Sequence, residues 1–427
     1  MNIIRRIQQA SIYPFAYRIT SLKSLLQRLK TFTKPTTVIY ENNYKSEKVL
    51  LIALYEKGEL RSDVLNLLQT SKKLGLYIIA VNTLKIKNPS IYKEVIDVYI
   101  ERPNFGRDFG SYKTGFSYFF KNQYEKLCPR LLMLNDSLFY TSKGLSEFLE
   151  NMTNTDVEVL GATENHEIEH HLGSFCISFK QNILKNKKFI KYWRNYTNSD
   201  VRPVVIKRGE MGLSKTLKRC VTKPNDFKAH YNLASITSLF KRDMSLVENI
   251  SEYYRTPSFY RIGFTEWRRA SIKSVYERLK AFYIVSDSAM NSTDKIETKI
   301  ETKIETDQIN FLSSTKDLQN MLERRLPINQ MDLAEKINKE AFFDFIDCFT
   351  SGSQVHQNAL FLLSIGLPFI KLDGLYRGMF SNTDVEKLAS IIDTNESLIF
   401  KEVMYNNPFG GDRYIGWRAA AFNYGLI

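Results

Sequence analysis

The chain has 427 residues, enough for two or three domains that each bury a core of their own. Its apolar fraction of 43% and aromatic fraction of 13% exclude an intrinsically disordered protein. The formal charge of +14 predicts an anionic partner, whether a phosphorylated small molecule, a lipid headgroup or nucleic acid, and charge alone does not choose among these.

Four cysteines are spread along the chain in neither a metal-binding pattern nor a disulfide framework: Cys128, Cys176, Cys220 and Cys348. We interpret them as reduced thiols of an intracellular protein. The sequence has no run of about eighteen apolar residues to span a bilayer, and its N-terminus lacks the apolar core of a signal peptide. It therefore predicts a soluble or peripheral protein.

Residues 1–35 form a basic segment with no acidic residue, and four of its leucines follow helical spacing. Leu22, Leu25, Leu26 and Leu29 make one stripe, with basic side chains beside it. This composition is typical of an amphipathic helix lying on an anionic membrane. The alternative is that the leucines pack on the protein's own core.

From residue 36 the sequence alternates short apolar runs with helical patterns. The expected strands are 49–55, 76–81, 95–100, 130–134, 157–162 and 175–179, with helices from about 64, about 112, 183 and 210. This rhythm predicts an α/β domain over 36–275, with a mostly parallel sheet flanked by helices. A polar repeat of Lys-Ile-Glu-Thr indicates a low-complexity linker over 288–312, and the helical patterns after it predict a C-terminal α-helical domain over 313–427.

Two stretches of the α/β domain have the composition of a ligand site. Glu101–Gly115 follows an apolar run and contains three glycines, which suit a strand-to-helix turn that binds phosphate at the start of the helix. Arg130–Ser137 ends an apolar run in Asn135 and Asp136, so a buried strand delivers a carboxylate at its carboxyl end.

These residues resemble a known family. Asn82, the segment Arg102-Pro-Asn104-Phe-Gly106-Arg-Asp108-Phe-Gly110-Ser-Tyr-Lys113, Leu134-Asn135-Asp136-Ser137 and His171-Leu-Gly-Ser174-Phe175 look like the rhamnan synthesis protein F family, bacterial proteins of cell-surface polysaccharide assembly regarded as rhamnosyltransferases. The resemblance runs from about residue 48 to 275. Pro368-Phe369-Ile-Lys371 also resembles a C-terminal feature of that family.

A broader similarity concerns inverting glycosyltransferases of the GT-A fold, a Rossmann-like fold. There an Asn-x-Gly turn precedes a helix, a strand ends in an aspartate motif, and a later acidic residue opens a helix beside the acceptor. Asn104-Phe-Gly106, Asn135-Asp136 and Glu210 occur here in that order. The resemblance implies a GT-A-like domain and an inverting hexosyl transfer.

The chemistry of glycosyl transfer assigns roles to these residues. The leaving diphosphate requires positive charge or a divalent cation, so Asp136 is the candidate ligand for Mg²⁺ or Mn²⁺. Glu210 is the candidate base, with Glu164 as its rival and His171 near the diphosphate or the acceptor. The predicted donor-binding residues are Asn82, Arg102, Asn104, Gly106, Arg107, Asp108, Lys113, Asn135 and Asp136.

Each role has a structural alternative. Asp108 and Asp136 are also suited to capping a helix or a turn, and a glutamate in a first helical turn also serves the helix dipole. His166, His170 and His171 lie within six residues, which admits a zinc site. Since neither a cysteine nor a clear fourth ligand is nearby, the sequence does not favour zinc.

The resemblance implies a peripheral enzyme on the cytoplasmic face of the inner membrane, taking L-rhamnose from a dTDP donor to a polyprenyl-diphosphate-linked saccharide. Two other classes stay open at this point. One is a non-catalytic polysaccharide-assembly or lipid-binding factor that kept the fold. The other is a nucleic-acid-binding protein, which only the charge suggests, and we expect no nucleic acid because no recognisable motif supports it.

Overall fold

We describe the fold from a computed structural model, which describes residues 3–166, 168–243, 246, 274–279, 314–323, 330–350 and 353–427. The chain divides into two compact units. Described residues within 3–232 and 362–427 belong to the first unit, and those within 233–361 to the second. These boundaries differ from the predicted ones, because residues 362–427 belong to the unit that contains the sheet. The predicted linker at 288–312 lies outside the described residues.

The strands are β1 (Thr37–Glu41), β2 (Val49–Leu54), β3 (Tyr77–Asn82), β4 (Val98–Glu101), β5 (Arg130–Asn135), β6 (Leu138–Tyr140), β7 (Val159–Gly161), β8 (Glu164–Asn165), β9 (His171–Leu172), β10 (Cys176–Lys180), β11 (Phe227–Ala229) and β12 (Phe369–Lys371). The helices of the first unit before residue 233 are α1 (Ile3–Phe32), α2 (Ser62–Lys73), α3 (Arg107–Lys121), α4 (Leu145–Thr153), α5 (Gln181–Leu184), α6 (Lys187–Asn195), α7 (Arg202–Val205) and α8 (Gly212–Lys218). Those that follow are α9 (Leu233–Arg242), α10 (Thr315–Glu323), α11 (Gln330–Thr350), α12 (Gln354–Gln357), α13 (Ala359–Ser364), α14 (Asp373–Tyr376), α15 (Asn382–Ile391), α16 (Thr394–Tyr405) and α17 (Trp417–Asn423).

The main sheet has eight strands in the order β1-β4-β3-β2-β5-β10-β7-β11. Strands β4, β3, β2 and β5 are parallel to one another, as is β11 to β7, whereas β1 and β10 run antiparallel to their neighbours. The α/β class is therefore confirmed. The sheet is mixed, but six of its eight strands point in one direction and only β1 and β10 are reversed, in agreement with the expected mostly parallel sheet. The β8–β9 hairpin, not a crossover helix, lies between β7 and β10, which permits an antiparallel pair.

The order of the parallel strands creates a switch point between β2 and β5. From β2 the chain moves through α2 to β3 on one side, and from β4 it moves through α3 to β5 on the other. Ligands of such sheets bind in the crevice beyond the carboxyl ends of the two strands at the switch point. Here those ends are Leu54-Tyr55 and Asn135-Asp136, and the Asp136 N–H donates to the Ala53 carbonyl at 3.1 Å.

Helix α3 holds this end of the sheet in place through its apolar face. Its Phe116 ring stacks on Trp193 of α6 with 4.5 Å between centroids, and both side chains are buried. Gly115 allows the helix to lie directly on β2, since a Cβ there would come within 2.2 Å of the Leu51 side chain. Each such large buried side chain contributes about 1.5–3 kcal/mol.

The helix that carries Glu210 differs from the expected one. Helix α7, a π-turn at Ile206–Met211 and helix α8 follow one another without a break, so Glu210 lies within a helical segment instead of opening it. Pro203 is at the start of α7, where its fixed φ favours helix initiation. π-turns inserted in α-helices frequently occur at functional sites.

The chain's end returns to the sheet-containing unit. Strand β12 pairs antiparallel with β6, placing Lys371 opposite Leu138. Helix α17 packs Ala421 on Ala16 of α1, while Lys23 lies 4.3 Å from the centroid of the Trp417 ring.

In the second unit, Phe240, Phe345 and Phe361 form an aromatic cluster that joins α9, α11 and α13.

Candidate active site

Asp136 lies buried at the switch point and is held by hydrogen bonds from Tyr55 and Arg61. The Tyr55 N–H donates to its carboxylate. Arg61, which is fixed by a bidentate pair with Asp63 at 2.9 Å, donates to the Asp136 carbonyl at 3.0 Å and to the Leu138 carbonyl at 2.7 Å. Packing and hydrogen bonds thus fix the direction in which the carboxylate points.

Burial and neighbouring carboxylates outweigh Arg61, the cation beside Asp136, in setting its pKa. Burial, and next the nearby carboxylate of Glu56, raise the pKa of Asp136 to about 8, although the Tyr55 N–H and Arg61 oppose the shift. A carboxyl group in this setting gains stability when a cation joins it. The site therefore fits a divalent cation that has one protein carboxylate, with water and substrate oxygens as its other ligands.

Asp136→Asn is expected to stabilise the protein, and more so at pH 8 than at pH 5. The folded-state pKa of Asp136 is raised above the unfolded value of about 3.9, so the carboxyl's contribution to stability is complete below that value and is lost as the pH rises through about 8. Thermal melts of parent and variant at both pH values measure this. A melting-temperature difference that shrinks toward pH 8 contradicts it, and the exposed Asp156→Asn is the control.

A chain of hydrogen bonds joins the two predicted motifs to the C-terminal segment. The Asn135 amide donates to Asp108 at 2.9 Å and accepts from the Ser137 hydroxyl at 2.7 Å. Lys371 donates to that hydroxyl at 2.9 Å and lies 4.7 Å from the centroid of the Phe175 ring. Burial raises the pKa of Asp108 even though Lys371 and Arg107 lower it, while Glu210 adds to the rise. Asp108 and Glu210 therefore share one charged region.

The Asn-x-Gly turn is pinned to the segment after α6. Gly106 has φ +92° and donates its N–H to the Asp200 carboxylate at 2.7 Å, and a Cβ there would lie 2.7 Å from Asn198 Cβ. Arg107 also has a positive φ, 51°, and its Nε donates to the Asp200 carbonyl at 2.9 Å. Such strain in a non-glycine residue persists where the surroundings fix the backbone, commonly at functional sites.

A cluster of arginines, Arg107, Arg202 and Arg377, lies near Asp108. Burial lowers the pKa of Arg107 and that of Arg202, the latter to about 10, and Arg377 lowers both further. Asp373, which binds Arg377 at 2.8 Å, acts in the opposite direction on both. Mutual repulsion of neighbouring guanidinium groups is relieved by a bound anion, and guanidinium geometry suits phosphate.

Glu210 and His171 form a pair on the other side of the site. His171 Nδ1 lies 2.7 Å from the Glu169 carbonyl and must donate to it, which leaves Nε2 facing the Glu210 carboxylate at 3.7 Å. Burial acts to raise the pKa of Glu210, but His171, Arg202 and Lys371 together lower it. Burial acts to lower the pKa of His171, and Glu210 and the Glu169 carbonyl raise it. Glu210 is consequently ionised at neutral pH.

The remaining predicted residues make other contacts. Asn82 bonds the backbone of Glu56, and Arg102 bonds Ser111 and the Phe105 carbonyl. Lys113 donates to the Tyr196 carbonyl at 2.6 Å, and Asn104 is exposed. Glu164 lies between His166 and His170. The structure thus gathers Arg107, Asp108, Asn135, Asp136, His171 and Glu210 at the crevice.

Four further residues were not predicted as site residues: Glu56, Arg202, Lys371 and Arg377. Pro368-Phe369-Ile-Lys371 resembles a C-terminal feature of the family, so the sequence contains a signal for Lys371. Nothing in the sequence indicates that Arg202 and Arg377 approach Arg107, because their convergence depends on the return of the C-terminal segment to the sheet.

Comparison with known proteins supports the resemblance seen in the motifs. Residues 76–223 match the family described as Rhamnan synthesis protein F, which confirms that resemblance. The segment contains the turn, Asp136, His171 and Glu210.

Two curated relatives match only part of this chain. "Uncharacterized protein y4gN" of Sinorhizobium fredii is 25% identical over 40% of this chain and 46% of its own length. "Virulence protein VirA" of Vibrio anguillarum is 34% identical over 27% of this chain and 38% of its own length. The chain thus spans less than half the length of these relatives. A solved structure, the glycosyltransferase GlyE of Streptococcus pneumoniae TIGR4, aligns with a TM-score of 0.25 and 11% identity over 47% of this chain and 51% of its own, a likeness too low to carry an argument.

Proposed function

We propose, from the match of residues 76–223 to the rhamnan synthesis protein F family, that this protein is a glycosyltransferase of polysaccharide synthesis. It would take a sugar from a nucleotide donor and transfer it to a saccharide acceptor. The observation that carries the proposal is the convergence of Arg107, Arg202 and Lys371 with two acidic residues, Asp108 and Asp136, at the switch point of the sheet.

The charges suit both partners of the breaking bond. Cleavage between the anomeric carbon and the diphosphate oxygen leaves positive charge on the sugar and negative charge on the departing diphosphate. Arg107 and Arg202, with Arg377 beside them, would stabilise the leaving group, and their depressed pKa values would recover as the phosphates bind. Asp108, held by Asn135 at 2.9 Å, would orient the donor sugar.

A divalent cation, Mg²⁺ or Mn²⁺, would be held by Asp136 and would supply further stabilisation of the leaving diphosphate. The raised pKa of the Asp136 carboxyl, caused by burial and by Glu56, supports this role. Arg61 and the Tyr55 N–H would keep the carboxylate in position.

Glu210 is our candidate for the base that removes the acceptor hydroxyl proton. Its low pKa, maintained against burial by His171, Arg202 and Lys371, keeps it unprotonated at neutral pH. His171 would act as a positioning residue through Nε2. A carboxylate base on the acceptor side is consistent with inversion at the anomeric carbon.

The finer assignment rests on the family resemblance. We propose L-rhamnose from dTDP-rhamnose as the donor sugar, a saccharide on polyprenyl diphosphate as the acceptor, and a GT-A-like arrangement of the donor side. The excess of basic residues, +14 overall, favours an acceptor that carries phosphate at an anionic membrane.

A donor panel tests the function. The full chain is incubated with each common nucleotide sugar, with and without Mg²⁺ or Mn²⁺, and with membrane extract as a source of acceptor, while nucleoside diphosphate release is measured. Release from one donor alone identifies both the sugar and the metal requirement. If no donor releases nucleoside diphosphate, the proposal that the protein is an enzyme is rejected, and a non-catalytic assembly factor with this fold is favoured.

Helix α1 supports a peripheral membrane location. Within the helix, Ala16, Thr20 and Ser24 are buried, whereas Leu22, Leu25, Leu26 and Leu29 are about half exposed or more. Its leucine stripe is thus not used to pack on the first unit. Among the described residues no helix is long and apolar enough to cross a membrane. We propose that the stripe lies in the headgroup region of an anionic bilayer on the cytoplasmic face of the inner membrane.

Leu25→Glu with Leu29→Glu is expected to weaken binding to vesicles containing anionic lipid by at least about tenfold, because each buried leucine contributes about 1.5–3 kcal/mol. Vesicle sedimentation measures the partition, and added salt should weaken binding by the parent chain. Leu398→Glu in α16, an equally exposed leucine, is the control. Equal binding by parent and double variant would reject the leucine stripe as the membrane contact.

A further inference from the structure

The β8–β9 hairpin brings three ligand-type side chains together beside the proposed active site. Glu164 lies on β8, and His166 and His170 lie in the hairpin that follows it. Nε2 of His170 is 3.0 Å from one carboxylate oxygen of Glu164, and Nε2 of His166 is 3.5 Å from the other. The two imidazole rings are nearly parallel, with 4.7 Å between centroids.

These atoms have the spacing of a metal site. One donor atom from each side chain lies within 4.8 Å of the other two. Tetrahedral Zn²⁺ with bonds of about 2.0 Å places its ligand atoms about 3.3 Å apart, so a small adjustment of the side chains suffices. Two imidazoles and one carboxylate form a ligand set that zinc uses in proteins, with a fourth position for water.

We propose that Glu164, His166 and His170 bind a zinc ion that fixes the β8–β9 hairpin and so positions His171. Consecutive residues of an extended chain point to opposite sides. His170 faces Glu164, while its neighbour His171 faces Glu210. The metal on one side of the strand would therefore hold the active-site histidine on the other. It is separate from the cation proposed at Asp136.

Side chains of neighbouring elements hold the hairpin in place. Lys218 of α8 donates to the His170 carbonyl at 2.5 Å, Lys215 pairs with Glu169 at 2.9 Å, and the Phe227 ring packs edge-on to His170 at 5.8 Å between centroids. The Glu164 side chain is 8% exposed and the His170 side chain 32%, whereas the His166 side chain is 41% exposed. This gives an ion a path of entry on the His166 side.

Metal content of the purified full chain tests the site. After incubation with Zn²⁺ and removal of free metal by dialysis, elemental analysis should find about one zinc per chain, and Co²⁺ in its place should show the visible absorption of tetrahedral coordination. His166→Ala with His170→Ala should lose the zinc, Glu164→Gln should bind it at least about tenfold more weakly, and His171→Gln should retain it.

His230→Ala, which removes a histidine of the same unit outside the hairpin, is the matched control and should retain the metal. A parent chain without zinc, or equal zinc in the parent and the double histidine variant, would overturn the proposal. Circular dichroism of each variant establishes that it is folded. Because metal content is the readout, the zinc site stands or falls independently of glycosyl transfer.

Discussion

Asp136→Asn is expected to lower nucleoside diphosphate release by about 10²–10³-fold, the loss typical when one preorganised group that stabilises developing charge is removed. The substitution keeps the shape of the side chain and an oxygen that accepts from the Tyr55 N–H, but it removes the negative charge that would hold the cation. Release by the parent should depend on Mg²⁺ or Mn²⁺, and the residual release by the variant should not.

The effects of Asp136→Asn on stability and on activity can be measured separately. Because the Asp136 carboxyl has a pKa raised to about 8 by burial, the asparagine form should melt at a higher temperature than the parent while being far less active. Asp156→Asn, which alters an exposed carboxylate of the same unit, should leave activity unchanged. Full activity in Asp136→Asn would remove the centre of the proposed mechanism.

Glu210→Gln is expected to lower kcat by about 10²–10⁴-fold, the usual contribution of a general base, with a smaller effect on donor binding. The glutamine keeps the size of the side chain in the π-turn but cannot accept the acceptor's proton. Steady-state kinetics with the donor found by the panel measure kcat and KM separately. Glu164→Gln tests the rival base. A loss of kcat there that exceeds both the loss in Glu210→Gln and the loss in the double histidine variant, which removes the zinc but keeps Glu164, would transfer the role to Glu164.

The pH profile of kcat tests whether His171 lowers the pKa of Glu210. Burial alone would raise the pKa of Glu210, and His171 is the first of the groups that lower it. His171→Gln should therefore move the acidic limb of the kcat profile to higher pH while leaving the alkaline limb in place. A purely structural role for His171 would lower activity equally at every pH, so an unshifted limb contradicts the pairing.

Both the zinc proposal and the active-site proposal involve His171, but they predict different effects of substitution. Loss of the metal should loosen the hairpin and reduce kcat with little change in donor affinity, since the proposed donor-side residues Arg107, Asp108 and Asp136 lie outside β8 and β9. Loss of Glu210 removes a reacting group and leaves the zinc in place. The two sets of variants therefore report on two separate elements, the β8–β9 hairpin and the π-turn that carries Glu210.

The sequence determined a large part of this protein by itself. Apolar runs such as Val49–Leu54 and Arg130–Asn135 are buried along their whole length, as strands of a parallel sheet are, and hydrophobic periodicity therefore located them. The glycine turn and Asn135-Asp136 were recognisable because a switch-point site needs a tight turn and a carboxylate directly after a strand, both of which are local features. The leucine stripe of α1 was visible for the same reason.

Only the tertiary structure decided the rest. Strand β1 was not among the expected strands, because most of its residues are exposed and it forms no buried apolar run. The direction of β7 and β10 could not be predicted from their composition, because strands with antiparallel and parallel neighbours bury similar side chains. Lys371 and Arg377 reach the site although more than 230 residues separate Lys371 from Ser137, and no local pattern encodes so distant a contact. The metal-type cluster of Glu164, His166 and His170 likewise cannot be read from the sequence. Its ligand geometry depends on the hairpin, which places the carboxylate beside the two imidazoles.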